Sequence, residues 1–209
     1  MIITCLSFTG IGQSGLIDNL LAAYYINNNG IKGDVVEAGV HMGGSIGLLS
    51  LAISDDEERV FWCFDTFAGM PEPGEKDPSD AINRFKLLSK GDGYSAWCDT
   101  SLDNVRKNLI SLNAPISKFK FVEGKVEDTL IKNENLPSTI AILRLDTDWY
   151  ESTKIELEKL LPRVVQGGIG IIDDYGKWSG SREAVDEYFA DRKSPFMFHS
   201  GHRRIFVKN

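Results

Sequence analysis

The chain has 209 residues, 42% apolar and 25% charged, enough to bury one sizeable core and too few for two full domains. Its 23 basic and 30 acidic side chains sum to −7 at pH 7, a balance that argues against a surface built for nucleic acid or anionic lipid. Apolar runs such as Ile46 to Ile53 fall short of the ~20 residues that cross a bilayer, and no basic segment leads into an apolar signal core, so the expectation is a cytoplasmic protein without a membrane partner.

In chain order, the first element is a helix over Ser14 to Ile26, with Leu16, Leu20, Ala23 and Tyr24 on one side and a stop at Asn27-Asn28-Asn29-Gly30. A strand over Asp34 to Ala38 and a helix over Gly44 to Ser54 follow, then a strand over Val60 to Phe64. Pro71, Pro73 and Pro78 mark a long loop from Ala68 to Asp80, and Gly91 to Thr100 reads as a second. Next come a helix over Ser101 to Leu112 with Ser101 as N-cap, a strand over Lys118 to Val122 and a strand over Ile140 to Leu145. A helix over Tyr150 to Leu161, a strand over Ile169 to Ile172, a helix over Ser181 to Ala190 and a final strand pair, Pro195 to His199 and Arg203 to Lys208, complete the chain. Alternation of short apolar strands with amphipathic helices predicts a parallel sheet covered on both faces. Cys5, Cys63 and Cys98 contain no CxxC pair and read as reduced thiols rather than a disulfide or zinc framework.

The first strand runs through Glu37 into a glycine-rich turn, Gly39, Gly43 and Gly44, that opens a helix at Ser45. This spacing does not match G-x-G-x-x-G, and Glu37 would repel a pyrophosphate; a carboxylate there suits a cationic ligand instead. The second strand ends in Asp65, 28 residues beyond Glu37, an acid of the kind that hydrogen-bonds a ribose diol on a neighbouring strand end. Further along, Asp146 and Asp148 end one strand, and Asp173 and Asp174 end the next. Asp146, Asp173 and Asp174 are expected to converge, and that much negative charge calls for a hard divalent cation on oxygen ligands, Mg²⁺ first. Asp148 is then a general-base candidate.

Taken together, Gly33-Asp-Val-Val-Glu-Ala-Gly-Val40, Gly43-Gly44-Ser45, Phe64-Asp-Thr-Phe-Ala-Gly-Met-Pro71, Leu145-Asp-Thr-Asp-Trp-Tyr-Glu-Ser-Thr153, Leu161-Pro-Arg163, Gly167-Gly168, Ile172-Asp-Asp-Tyr175 and Arg182-Glu-Ala-Val-Asp-Glu-Tyr188 resemble the macrocin O-methyltransferase-like enzymes. The resemblance implies an α/β fold: a Rossmann-like, doubly wound, mostly parallel seven-stranded sheet with helices on both faces and an antiparallel last strand. It also implies one S-adenosylmethionine-dependent domain over 1–209, with 1–32 as an N-terminal helical segment, that methylates a hydroxyl of a sugar or glycosylated small molecule. In that reading Glu37, Gly39 and Ser45 lie on the methionine side of S-adenosylmethionine, and Gly43 is a further cofactor contact. Asp65 holds its ribose, Glu127 or Asp128 lies near its adenine, and Thr66 and Asp146 are further cofactor contacts; Asp146, Asp173 and Asp174 ligate Mg²⁺ and Asp148 is the base. Only 32 residues precede Gly33, short for a substrate lid, so a neighbouring subunit is expected to close the pocket.

Two other functional classes are set against this one: a non-catalytic S-adenosylmethionine-binding scaffold, and a metal-dependent phosphoryl-transfer or hydrolytic enzyme on the same carboxylates. Glu37 at the glycine turn and the lack of a G-x-x-x-x-G-K-[ST] cradle weigh against the latter. Arg144 is expected to pair with a neighbouring acid, His199 and His202 are alternative bases, and Trp178 is the favoured substrate-facing aromatic.

Overall fold

Strand β1 (Asp34–Ala38) lies near the middle of the sheet, flanked by β2 (Phe61–Asp65) and β4 (Ile140–Leu145), both parallel to it. The computed structural model describes residues 1–53 and 58–209. Within them the sheet order is β3-β2-β1-β4-β5-β7-β6, completed by β3 (Phe119–Glu123), β5 (Val164–Ile172), β6 (Met197–Ser200) and β7 (Arg203–Val207). Strands β1 to β5 are parallel; β7 runs antiparallel to β5 and to β6. Strand order reverses between β1 and β4, the position where loops diverge and leave a crevice at the carboxyl edge.

Helices α2 (Gly12–Asn28), α3 (Gly44–Ala52) and α5 (Leu102–Ser111) bury Ala23, Ile26, Ile46, Leu49, Val105 and Leu109 against Val35, Cys63 and Ile142 on one face. Helices α7 (Tyr150–Lys159) and α8 (Ser179–Ala190) cover the other, where Leu157 and Val185 meet Val36, Phe64 and Leu143. Neighbours Val35 and Val36 thus point to opposite faces, and both faces are buried, so the strands are continuously apolar. Short helices α1 (Ile2–Leu6) and α6 (Val126–Thr129) and the ten-residue α4 (Ser79–Leu88) complete the fold.

The predicted strands and main helices occur within a few residues of their expected bounds; Ser54, the predicted end of α3, lies outside the described residues. Ser101 caps α5 by accepting from Asn104 N at 3.3 Å. Strand β5 begins at Val164 rather than Ile169 because Gly167, at φ +79°, takes up a bulge; Ile140 pairs with Val164 and Ile142 with Ile169. The proline-rich loop gives way at Ser79 to α4. All three cysteines are free, Cys5 and Cys63 buried. No described helix is long and apolar enough to cross a membrane.

Candidate active site

The carboxyl ends of β1 and β4 approach so closely that residue 39 cannot carry a side chain. Gly39 has φ +83°, and a Cβ there would stand 1.9 Å from Asp146 O. A cavity of about 440 Å³ opens above this junction. Its walls include Glu37, Gly39, Ser45, Asp65, Thr66, Glu127, Asp146, Asp148 and Asp173 from the expected set, together with Met70, Pro71, Trp97, Lys177 and His202. Thr9, Gly10 and Ile11, between α1 and α2, form part of the rim. The N-terminal segment therefore supplies wall within the same chain. Three expected residues do not line the cavity. Gly43, at φ +89°, packs toward Val105; Asp128 is exposed on α6; and Asp174 is buried behind the wall.

Glu37 is fully buried, and Oε1 accepts from Arg144 Nε at 3.0 Å. Burial pushes its carboxyl up to about 7, against the pull of the Arg144 guanidinium. The Ser45 hydroxyl beside the carboxyl also draws it down, but Oε2 makes no hydrogen bond of normal length and angle, and a cationic or N–H ligand would complete it. At the end of β2, Asp65 accepts from Phe67 N and His41 N, each at 2.8 Å; burial raises its carboxyl and these amides oppose the shift. The acid thus holds the β1 turn against the β2 turn as well as facing the cavity.

Arg144 is the electrostatic centre. Its guanidinium is fully buried, and Nη2 donates to Asp146 and Asp173, each at 2.7 Å. Burial alone would raise Asp173, but Arg144 outweighs it and holds this carboxyl below its ordinary range. Asp173 Oδ2 lies 3.3 Å from His202 Nε2. Asp146 is pushed well up by burial and by Asp173. Asp174 is likewise raised by burial and by Asp148; its Oδ2 accepts from Asp148 N at 3.1 Å while Oδ1 has no partner.

Among the described residues, the carboxylates that converge to within 4.8 Å of one another are Asp146, Asp148 and Asp174. The sequence places Asp173 in that group; in the structure Arg144 draws it aside and Asp148 enters. An all-oxygen set with an orphaned buried Oδ1 fits a hard divalent cation. Asp148 has φ +71° at the centre of a γ-turn closed by Trp149 N to Thr147 O at 2.9 Å, a strained geometry that clusters at functional sites. Trp178 Nε1 donates to Asp148 Oδ1 at 2.7 Å. Trp178 therefore orients Asp148, and the tryptophan that lines the cavity is Trp97. His199 is exposed on β6, away from the cavity, and Arg182 is exposed at the start of α8. Trp97, Lys177 and the 9–11 rim escaped the sequence reading because they sit in aperiodic loops, where nothing in the local pattern distinguishes wall from surface.

Residues 4–197 match the protein family described as Macrocin-O-methyltransferase (TylF). Over 163 residues the chain is 38% identical to the 8-demethyl-8-(2,3-dimethoxy-alpha-L-rhamnosyl)-tetracenomycin-C 4'-O-methyltransferase of Streptomyces olivaceus, covering 77% of this chain and 59% of that protein. It is 36% identical over 165 residues to the demethyldecarbamoylnovobiocin O-methyltransferase of Streptomyces niveus, covering 78% and 60%. The matches thus span about three fifths of these relatives' length. Among solved structures, the O-methyltransferase NovP is similar with a TM-score of 0.85 and 30% identity, over 96% of this chain and 82% of that one.

Proposed function

The chain belongs to the macrocin O-methyltransferase family, and from that premise we propose that it transfers the methyl group of S-adenosylmethionine to a hydroxyl of a sugar or glycosylated small molecule, with a hard divalent cation such as Mg²⁺ at the acceptor end. The observation that carries this reading is the division of one cavity into two chemistries: a buried, half-satisfied Glu37 at the β1 turn, and a carboxylate cluster at the ends of β4 and β5. The rhamnosyl group in the name of the tetracenomycin-C 4'-O-methyltransferase supports the sugar assignment.

On the donor side, Glu37 faces the cationic methionine portion, Gly39 and Ser45 leave room for it, and Asp65 with Thr66 meets the ribose. Glu127, at the start of α6, stands toward the base. When bound, S-adenosylmethionine would supply its sulfonium methyl to an in-line acceptor oxygen, the C–S electron pair leaving with S-adenosylhomocysteine as a neutral thioether. On the acceptor side, Asp146 and Asp174 belong both to the expected ligand set and to the converging group. Asp173 lies outside the converging group, with Oδ1 on Arg144 and Oδ2 3.3 Å from His202 Nε2; it is the proposed third ligand through Oδ2, which must turn from His202 to reach the ion. Asp148, oriented by Trp178, accepts the hydroxyl proton. A bound Mg²⁺ would lower the hydroxyl pKa and orient the oxygen, and holding both reactants in place supplies much of the rate.

Titration calorimetry with S-adenosylmethionine, with and without Mg²⁺, tests the reading. Binding in the micromolar range is expected. No detectable binding would overturn it and would equally exclude a scaffold role for the same cavity.

A further inference from the structure

Three of the four tryptophans use their indole N–H inside the protein: Trp62 donates to Asp34 at 2.9 Å, Trp149 to Pro71 O at 3.1 Å and Trp178 to Asp148 at 2.7 Å. Trp97 is different. Its Nε1–H has no acceptor among the described residues, and its half-buried ring lines the cavity that also holds Asp148.

The ring is fixed in place. Met70 N donates to Trp97 O at 2.9 Å, and Ser95 N donates to Met70 O at 3.0 Å, tying the loop after β2 to the loop before α5. The Arg84 guanidinium stands over the Trp97 ring at 4.0 Å. Trp149 and Trp178 meet that ring at centroid distances of 5.5 and 5.9 Å with interplanar angles of 71° and 64°, the edge-to-face geometry that aromatic rings favour. A donor held this firmly loses little entropy when a ligand arrives. Arg84 covers the ring and two indoles meet it edge-to-face, and the N–H remains its unpaired polar group, a donor that suits an oxygen acceptor. Trp178 joins Trp97 to Asp148 through a single side chain, so the two polar groups sit on one rigid aromatic block.

We propose that Trp97 is the residue that selects a sugar acceptor: its Nε1–H donates to a ring or hydroxyl oxygen of a pyranose while a nearby hydroxyl of the same ring faces Asp148. This deepens the methyl-transfer reading above and rests on it.

The test uses methyl α-L-rhamnopyranoside as probe and catechol as the flat comparison. Binding is followed by saturation-transfer NMR on the full chain with S-adenosylhomocysteine. Saturation should reach the pyranoside ring protons in the wild type. Trp97→Phe, which keeps the ring and removes the donor, should weaken pyranoside binding about 2- to 10-fold, the range of one hydrogen bond. Trp97→Ala should weaken it further. The S-adenosylhomocysteine Kd should be the same in all three proteins, which shows that the cavity is intact. Equal pyranoside affinity in wild type and both variants, no pyranoside binding in the wild type, or a preference for catechol that Trp97→Ala abolishes would overturn the proposal. Failure of S-adenosylhomocysteine to bind the wild type would sink the methyl-transfer reading instead, and the pyranoside titration without it would still report on Trp97.

Discussion

Glu37 and Arg144 face each other in register across the β1–β4 pairing, and Arg144 Nε donates to Glu37 Oε1 at 3.0 Å with both side chains out of contact with solvent. One cation thereby joins the turn proposed to hold the methyl donor to Asp146 and Asp173 at the acceptor end. Replacing Arg144 with Met fills the volume but leaves Glu37 and Asp146 without their counter-charge and Asp173 with only the more distant Arg203, at 3.8 Å. Unfolding free energy from urea denaturation is expected to fall by about 3–5 kcal/mol, the range for breaking a buried pair by removing one partner. A loss below about 1 kcal/mol would show that the network is not what holds these strand ends together.

The raised Glu37 carboxyl, at about 7, gives binding a pH signature. Below that value the group is largely protonated and neutral; above it the group is ionised and attracts a cationic ligand. S-adenosylmethionine affinity is therefore expected to rise between about pH 6 and 8, and binding at pH 7 to release protons, seen as a calorimetric enthalpy that depends on the buffer. For folding the sign is opposite. Between the ordinary value of 4.5 and about 7 the native state holds a proton the unfolded chain has lost, so this group's contribution to stability falls as pH rises. Glu37→Gln should abolish the buffer dependence; if it persists, the proton comes from another group.

Asp148 and Asp173 separate by two measurements. Asp173→Asn is expected to abolish Mg²⁺ binding in calorimetry while S-adenosylhomocysteine still binds. Asp148→Asn should leave Mg²⁺ bound and lower methyl transfer about 10²- to 10⁴-fold, the usual contribution of a general base. Loss of Mg²⁺ binding in Asp148→Asn with retention in Asp173→Asn would give Asp148 the ligand position that its convergence with Asp146 and Asp174 offers.

How far the sequence reached is plain from these residues. Strands β1, β2 and β4 are buried on both faces, so their apolar runs and the acids at their ends stand out, and Glu37, Asp65, Asp146 and Asp148 all reach the cavity. The buried role of Arg144 followed from its place inside an apolar strand. The position of Asp173 relative to Asp148 did not, since it depends on where Arg144 directs its guanidinium across three strands. Helix α4 is amphipathic but follows directly on a proline-rich stretch, and its short apolar face, Ala81 and Phe85, was masked by surrounding charge. Trp97 carries no periodic signal, and its place in the wall comes from backbone hydrogen bonds between two loops.

Gly44 ties the N-terminal segment to the site. Its N–H donates to Phe8 O at 2.7 Å, and a Cβ there would stand 2.6 Å from both Cys5 O and Phe8 O. Gly44→Ala must push the 5–8 turn away, and with it the rim at Thr9 to Ile11. A destabilisation of about 1–3 kcal/mol is expected from such overpacking, together with weaker S-adenosylhomocysteine binding. Unchanged affinity would mean that the rim does not touch the donor.

The central claim is methyl transfer to a sugar oxygen, and the most direct measurement follows an isotopically labelled S-adenosylmethionine methyl into a panel of glycosylated acceptors by mass spectrometry and NMR. Label is expected on a single sugar oxygen, lost on chelation of divalent cations, restored by Mg²⁺ and absent in Asp173→Asn. Label on no acceptor hydroxyl, or transfer that proceeds unchanged under chelation, would contradict it.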